Sequence, residues 1–142
     1  MILAIDYGKV RLGLATSNGE LPTPISVIKN QTWSKLVPQI VKVCFEKKVN
    51  IVVFGLPLFK DGTESPMCKE IYQFANRLKN EFVKDAKTIK IFFINENCSS
   101  KEAGGIMANN GKRLNKVDQT AACVILQRYI DAHKSGAYIK EL

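Results

Sequence analysis

The chain has 142 residues, of which 46% are hydrophobic, and this length and composition fit one globular domain spanning residues 1–142. Its 21 Lys and Arg residues against 13 Asp and Glu residues give a formal net charge of +8. That excess indicates a polyanionic partner, above all nucleic acid, unless the charge is simply spread over solvated surfaces. One histidine and four widely spaced cysteines argue against Ser-His-Asp, Cys-His and C-x-x-C sites, so any chemistry must rest on carboxylates.

No apolar stretch approaches the roughly 20 residues that a membrane-spanning helix needs. The longest, residues 51–59, is interrupted by Gly55 and Pro57. No secretory leader is recognisable at the start of the chain. We therefore expect a cytoplasmic protein with reduced thiols and no membrane partner.

The first segment is an apolar run, Ile2–Ile5, which predicts a strand covered on both faces and ending on Asp6. Gly8 permits a tight reversal, and residues 12–15 predict a second strand paired back on the first. A short third strand, residues 25–28, is expected at the sheet edge. Because a half-buried carboxylate is costly without a partner, Asp6 either binds a cation or accepts backbone N–H groups in the turn.

The next elements alternate between helix and strand. Apolar residues from Leu36 to Cys44 recur at helical spacing, and residues 51–55 predict a buried strand. Ser65-Pro66 predicts the start of a second helix. Its apolar face, like the side chains of Trp33 and Phe45, is expected in the core; that face carries Ile71, Phe74, Leu78 and Phe82.

Residues 88–94 predict another buried strand, which ends on Asn95-Glu96-Asn97. A capping box, Ser99-x-x-Glu102, predicts a short helix stopping near residues 109–111. A basic link, residues 112–116, leads into a final helix that ends at Lys134-Ser135-Gly136 and leaves a short polar tail.

This order predicts an α/β fold with a five-stranded mixed sheet, in which three consecutive strands are followed by two parallel strands, flanked by helices. Strands separated by a helix are expected to be parallel with right-handed crossovers. The first, fourth and fifth strands would then end at the same edge of the sheet, where open α/β sheets usually bind ligands.

Three acids lie at element ends on that side. Asp6 closes the first strand, Glu96 follows the fifth and Asp118 starts the last helix. With one strand between them, the backbones of Asp6 and Glu96 would be roughly 10 Å apart, a gap that side chains can close. Such oxygen clusters suit Mg²⁺ or Mn²⁺. Separately, Glu96 is equally explained as a loop residue and Asp118 as an acid favoured by the helix dipole.

Four motifs resemble the YqgF (RuvX) family over about residues 1–131. They are Asp6-x-Gly8-x-x-Arg11-x-Gly13-x-Ala15, Gly55-Leu-Pro57-Leu with Asp61-Gly62, the segment 95–100, and Lys116-Val117-Asp118 with Ala121-Ala122 and Leu126-Gln127. The resemblance implies a ribonuclease H-like fold and a bacterial cytoplasmic nuclease that trims the 5′ end of pre-16S rRNA in ribosome biogenesis. Members are also described as Holliday junction resolvases, by likeness to RuvC. It further implies that Asp6, Glu96 and Asp118 bind the metal.

The chain departs from this pattern at two positions. The family usually has an acid where Asn95 stands and an arginine where Asn97 stands. The basic link before Asp118 is also interrupted by Leu114 and Asn115. One negative charge and one phosphate contact are therefore missing, which points to weaker activity or a different substrate.

The leading hypothesis is a divalent-metal-dependent nuclease acting on structured RNA, with Asp6, Glu96 and Asp118 holding the metal. Five cations are expected near the substrate phosphates: Lys9, Arg11, Lys60, Arg113 and Lys116. The protein is expected to be a monomer or a weak homodimer.

Three alternatives remain open. Resolution of branched DNA would require two active sites and hence a dimer. A catalytically weakened module could bind rRNA without cutting it. The spacing Asp6-x-Gly8-x-x-x-x-Gly13 also resembles the phosphate hairpin of actin-like ATPases, but such enzymes need a second domain that 142 residues cannot supply.

Overall fold

The structure, a computed structural model, describes residues 1–96 and 117–142, without the side chains of residues 117–120. Within these ranges six strands form one mixed sheet in the order β3-β2-β1-β4-β5-β6. The strands are β1 (Ile2–Tyr7), β2 (Arg11–Ser17), β3 (Thr23–Lys29), β4 (Ile51–Leu56), β5 (Lys90–Asn95) and β6 (Lys140–Glu141). The helices are α1 (Trp33–Glu46), α2 (Pro66–Lys84) and α3 (Val117–Ser135).

The predicted topology is confirmed where it matters for a site. Strand β4 lies between β1 and β5 and is parallel to both, while β1 and β2 form the antiparallel hairpin. Strand β3 is at one edge of the sheet. The carboxyl ends of β1, β4 and β5 therefore lie side by side.

The strand count was wrong, because the expected polar tail contains β6. Phe92 and Phe93 of β5 pair antiparallel with Glu141 and Lys140. A two-residue strand has no detectable alternation, and only the exposed edge of β5 creates it. The predicted short helix near residues 99–109 lies outside the described residues.

Alternation along the strands sends successive side chains into two hydrophobic layers. Leu3 and Ile5 of β1 pack in the larger core under α1 and α2, together with Phe54 of β4. Ala4 and Val53 face the opposite way and pack under α3, against residues that include Ala122, Ile125, Leu126, Tyr129 and Ile130. Helix α3 thus covers the face of the sheet on which even-numbered residues of β1 lie.

The helices largely begin, end and pack as their sequences predicted. Ser65 and Pro66 start α2, whose four predicted core residues are buried, and α3 ends before Gly136 at φ 75°. Phe45 is an exception, since it is 43% exposed on α1 and Lys87 lies 5.0 Å from its ring centre. In the described ranges, no helix combines the length and apolar character that crossing a membrane demands.

A polar network anchors the end of β1 to the helices. The Tyr7 hydroxyl donates to Glu70 Oε2 at 2.6 Å and accepts from Trp33 Nε1 at 3.2 Å. Burial raises the pKa of Tyr7, and the hydrogen bond to Glu70 raises it further. This fixes the backbone directly after Asp6.

Candidate active site

Asp6, Gly55 and Glu96 lie on the face of the sheet that α3 covers. Each comes two residues after a residue packed under α3, namely Ala4, Val53 and Ile94. The Glu96 N–H donates to the Leu56 carbonyl at 2.8 Å, which continues the β5 pairing by one residue. Alternation with a period of two then puts the Asp6 and Glu96 side chains on one side, separated by the glycine of β4.

Gly55 makes room for the Glu96 carboxylate. A Cβ atom built on Gly55 would stand 1.9 Å from Glu96 Oε2 and 2.6 Å from Ile125 Cδ1. Both distances are far below van der Waals contact. Only a residue without a side chain allows the carboxylate to lie between the sheet and α3.

The two carboxyl groups interact directly. The pKa of Glu96 is raised to about 8, first by burial, then by the negative charge of Asp6 and by a hydrogen bond to Asp6. The nearby charge of Arg128 acts in the opposite direction. Like charges in a buried place favour a shared proton or a bound cation.

Two hydrogen bonds in the turn after β1 are made by groups other than Asp6. The Gly8 N–H donates to the Arg11 carbonyl at 3.1 Å, and Asn30 Nδ2 donates to the Gly8 carbonyl at 2.7 Å. The alternative in which Asp6 serves as a turn acceptor is therefore weakened. Its carboxyl group lies with Glu96 instead.

The donor set fits a hard divalent cation. Glu96 Oε2 is buried and has no hydrogen-bond partner in the described part of the protein, and such an oxygen is costly unless something binds it. Carboxylate oxygens are the ligands that Mg²⁺ and Mn²⁺ prefer. No cluster of three His, Cys, Asp or Glu side chains occurs among the described residues, so the structure brings together Asp6 and Glu96 as a pair.

The sequence profile of the RuvX family, described as Holliday junction resolvase, matches residues 1–132. The chain belongs to the RuvX family. Its relatives include three that bear the name "Putative pre-16S rRNA nuclease". The one from Paraburkholderia xenovorans is 35% identical, covering 92% of this chain and 87% of the relative. Those from Chlorobium chlorochromatii and Fusobacterium nucleatum are 34% and 33% identical, covering 94% and 93% of this chain and 96% and 97% of the relatives.

Solved structures show the same fold. Thermus thermophilus RuvC in complex with a Holliday junction substrate is similar with a TM-score of 0.66 at 14% identity, covering 99% of this chain and 98% of RuvC. The fowlpox virus Holliday junction resolvase has a TM-score of 0.58 at 14% identity, covering 92% of this chain and 98% of that one. This RuvX chain therefore has the ribonuclease H-like fold that the resemblance implied.

The remaining predicted site residues of this RuvX chain are spread more widely. Asp118 lies in the first turn of α3. Lys9 and Arg11 are exposed at the β1–β2 hairpin, and Lys60 is exposed in the loop after β4. Among the described residues, the cation whose charge lowers the pKa of Glu96 is Arg128. Arg113 and Lys116 lie outside the described residues, as does Asn97.

Arg128 is the functional candidate that the sequence analysis missed. Its guanidinium donates to the Asn95 carbonyl at 3.3 Å, and its charge lowers the pKa of Glu96. A signal was present in the sequence, because Arg128 follows Ile125 and Ala121 by three and seven residues, the spacing of one helix face. An arginine among apolar positions is usually a solvated neighbour of the core, so this spacing does not by itself indicate a site.

Proposed function

We propose that this protein is a divalent-metal-dependent nuclease that hydrolyses phosphodiester bonds, and that it processes the 5′ end of pre-16S rRNA during ribosome biogenesis in the cytoplasm. The proposal treats residues 1–142 as a single ribonuclease H-like domain. Its main support is the Asp6–Glu96 pair at the carboxyl ends of β1 and β5, where Glu96 Oε2 is buried without a hydrogen-bond partner among the described residues. Membership of the RuvX family and the names of the relatives support the substrate.

In this mechanism Asp6 and Glu96 supply carboxylate oxygens for Mg²⁺ or Mn²⁺. We propose that Asp118, in the first turn of α3, supplies a third, because its position precedes Ala122 and Ile125 by four and seven residues, a helical spacing. A cation bound here would lower the pKa of a water molecule and offset charge on the phosphate.

The charges around the pair have separate tasks. The charge of Arg128 lowers the pKa of Glu96 and so opposes the effects of burial and of Asp6, which raise it. Five cations attract the phosphate backbone at a distance, so that substrate binding falls steeply with salt concentration. They are Lys9, Arg11, Lys60, Arg113 and Lys116.

The proposed nuclease is tested by comparing wild type with Asp6→Asn on a 5′ fragment of pre-16S rRNA and on a four-way DNA junction, with and without Mg²⁺ or Mn²⁺. Asp85→Asn is the matched control, since Asp85 is exposed at the end of α2, on the side of the sheet where β5 begins. We expect metal-dependent cutting of the RNA by wild type and by Asp85→Asn, and none by Asp6→Asn. Equal cutting by all three proteins would point to a contaminating nuclease and refute the assignment.

Resolution of branched DNA is the second candidate, favoured by the description of the matching family. Symmetric cutting of a junction needs two active sites and hence a dimer. Preference for the junction over the RNA, together with a dimer by light scattering, would replace the RNA substrate. A monomer that cuts only the RNA would leave the first proposal in place.

A catalytically weakened rRNA-binding module is the third candidate, and its motive is that Asn95 and Asn97 stand where the family usually has an acid and an arginine. Binding of the rRNA fragment that persists in wild type while no metal restores cutting would favour it over the nuclease.

A further inference from the structure

A cavity of about 460 Å³ is lined in part by Asn95, the residue that precedes Glu96. It lies at the β5–β6 edge of the sheet, and its wall includes Asn95 and Arg128, the two residues bonded to each other next to Glu96. The wall also includes Glu64, Tyr72, Tyr138 and Lys140. Its volume falls in the range of sites that hold small organic ligands, about 300 to 1,000 Å³.

Aromatic and cationic groups meet in this cavity. Tyr138 is 88% exposed, an unusual state for a large ring that covers no core. Lys140 Nζ lies 2.7 Å from the Tyr72 hydroxyl and 4.5 Å from the centre of its ring. The hydrogen bond to Tyr72 raises the pKa of Lys140, which keeps the ammonium charged. The cavity wall therefore holds an available ring and two positive charges.

The negative charge in the wall is already committed. Glu64 accepts a hydrogen bond from the Tyr72 hydroxyl and lies 3.9 Å from Lys140. Asn95, at the boundary with the carboxylate pair, is neutral. Among the described residues that line the cavity, Lys140 and Arg128 against Glu64 leave a net charge of +1, which favours an anionic ligand with a flat ring.

We propose that this cavity takes an unpaired nucleotide of RNA next to the scissile phosphate, with its base on Tyr138 and its phosphate toward Lys140 and Arg128. The inference rests on the proposed nuclease function. A nucleotide within a duplex has both faces of its base covered, so only a single-stranded segment can stack on a protein ring. The neighbouring phosphate then falls at Asp6 and Glu96.

The test measures binding of a labelled single-stranded RNA of about 12 nucleotides, long enough for typical single-strand sites, by fluorescence anisotropy in EDTA so that no cutting occurs. Tyr138→Ala and Lys140→Gln remove the ring and the charge, and Asn95→Asp adds a negative charge. Tyr138→Phe keeps the ring, and Lys84→Ala removes a lysine that is 71% exposed and paired only with Glu81 among the described residues.

Loss of one base stack raises Kd by about fivefold or more, and we expect this for Tyr138→Ala and an increase of Kd for Lys140→Gln and Asn95→Asp. Tyr138→Phe and Lys84→Ala should bind as wild type. The same RNA annealed to its complement should bind Tyr138→Ala and wild type equally. Circular dichroism checks that the variants are folded. Tyr138→Phe shows whether a substitution at position 138 that keeps the ring also keeps the wild-type Kd.

Equal Kd values for wild type, Tyr138→Ala and Lys140→Gln on the single strand would overturn the inference, even where wild type cuts RNA with metal. Binding that depends on Tyr138 and Lys140 in a protein that cuts nothing would uphold the cavity and refute the nuclease. The two proposals therefore fail in different measurements.

Discussion

The Glu96 carboxylate lies against the bare backbone of Gly55, and a Cβ on Gly55 would stand 1.9 Å from Glu96 Oε2. The glycine occupies the middle strand of the three that meet at the site, between Asp6 on β1 and Glu96 after β5. The position of Glu96 next to Asp6 therefore requires a glycine at position 55, because any side chain there would meet the Glu96 carboxylate.

Gly55→Ala should abolish most activity at a moderate cost in stability. The added methyl group displaces Glu96 Oε2 and presses on Ile125 Cδ1. Overpacking of this kind costs about 1 to 3 kcal/mol, while a displacement of about 1 Å in a catalytic group lowers kcat by roughly 100-fold. Urea unfolding and metal-dependent cleavage measure the two effects.

The double variant Gly55→Ala with Ile125→Val separates these effects. Ile125→Val removes the Cδ1 atom that the new methyl group would meet, so stability should recover relative to the sum of the single changes. Cleavage should stay low, because the contact with Glu96 remains. Full recovery of cleavage in the double variant would show that the helix contact alone was responsible.

Wild-type protein without metal should lose stability as the pH rises. The pKa of Glu96 is about 8 in the folded protein and near its ordinary value of 4.5 when unfolded. Between these pH values Glu96 is protonated in the folded state and ionised in the unfolded state. The contribution of this proton to the free energy of unfolding is therefore complete below pH 4.5 and is lost as the pH rises through about 8. The free energy of unfolding falls by an amount on the order of a few kcal/mol over this range.

Urea unfolding in EDTA across this pH window tests the contribution of Glu96. Glu96→Gln cannot ionise and should have a flatter stability profile than wild type, whereas Glu46→Gln, a change at an exposed position, should follow wild type. Mg²⁺ should also flatten the wild-type profile, because a cation favours the ionised carboxylate. Identical slopes for wild type and Glu96→Gln would contradict the pKa shift.

Asp6→Asn should stabilise the metal-free protein and remove its stabilisation by metal. The neutral amide of this variant no longer repels Glu96, so the melting temperature in EDTA rises at pH values where Glu96 begins to ionise. A ligand that binds only the folded state stabilises it according to its concentration relative to Kd. Increasing concentrations of Mn²⁺ should raise the Tm of wild type and of Asp85→Asn, but leave the Tm of Asp6→Asn unchanged. Calorimetry measures these Tm values.

The pKa of Glu96 should move in opposite directions in two variants. Arg128→Gln removes a positive charge that lowers this pKa and should raise it, while Asp6→Asn removes the negative charge that raises it and should lower it. Carbon NMR of the Glu96 carboxyl group in metal-free protein measures both shifts. Arg77→Gln, on the exposed side of α2, should leave the pKa at its wild-type value; a shift there as large as in Arg128→Gln would rule out a local effect.

The parallel direction of β1, β4 and β5 and the places of Asp6 and Glu96 at strand ends were predictable because each depends on local patterns. Apolar runs of four to six residues, separated by segments with helical spacing, specify parallel strands that end at one edge. Asp6 and Glu96 then follow from their places at strand ends. The spacing of the motifs indicated the family, and the profile of that family matches residues 1–132.

Three features depended on packing between distant segments. The sequence marks Gly55 as an interruption of an apolar run and as part of a family motif, but its role in making room for Glu96 appears only when Glu96 and Ile125 approach it from two other elements. Arg128 is 32 residues beyond Glu96 in the chain and meets it only because α3 crosses the sheet. Strand β6 and the cavity with Tyr138 exist because the tail pairs with the open edge of β5.

The sequence by itself therefore determined which residues lie at strand ends and which family carries them, since periodicity and spacing act over a few residues. Only the tertiary structure decided which charges meet, because a carboxylate responds to burial and to neighbours within a few ångströms, and those neighbours come from strands and helices far apart along the chain.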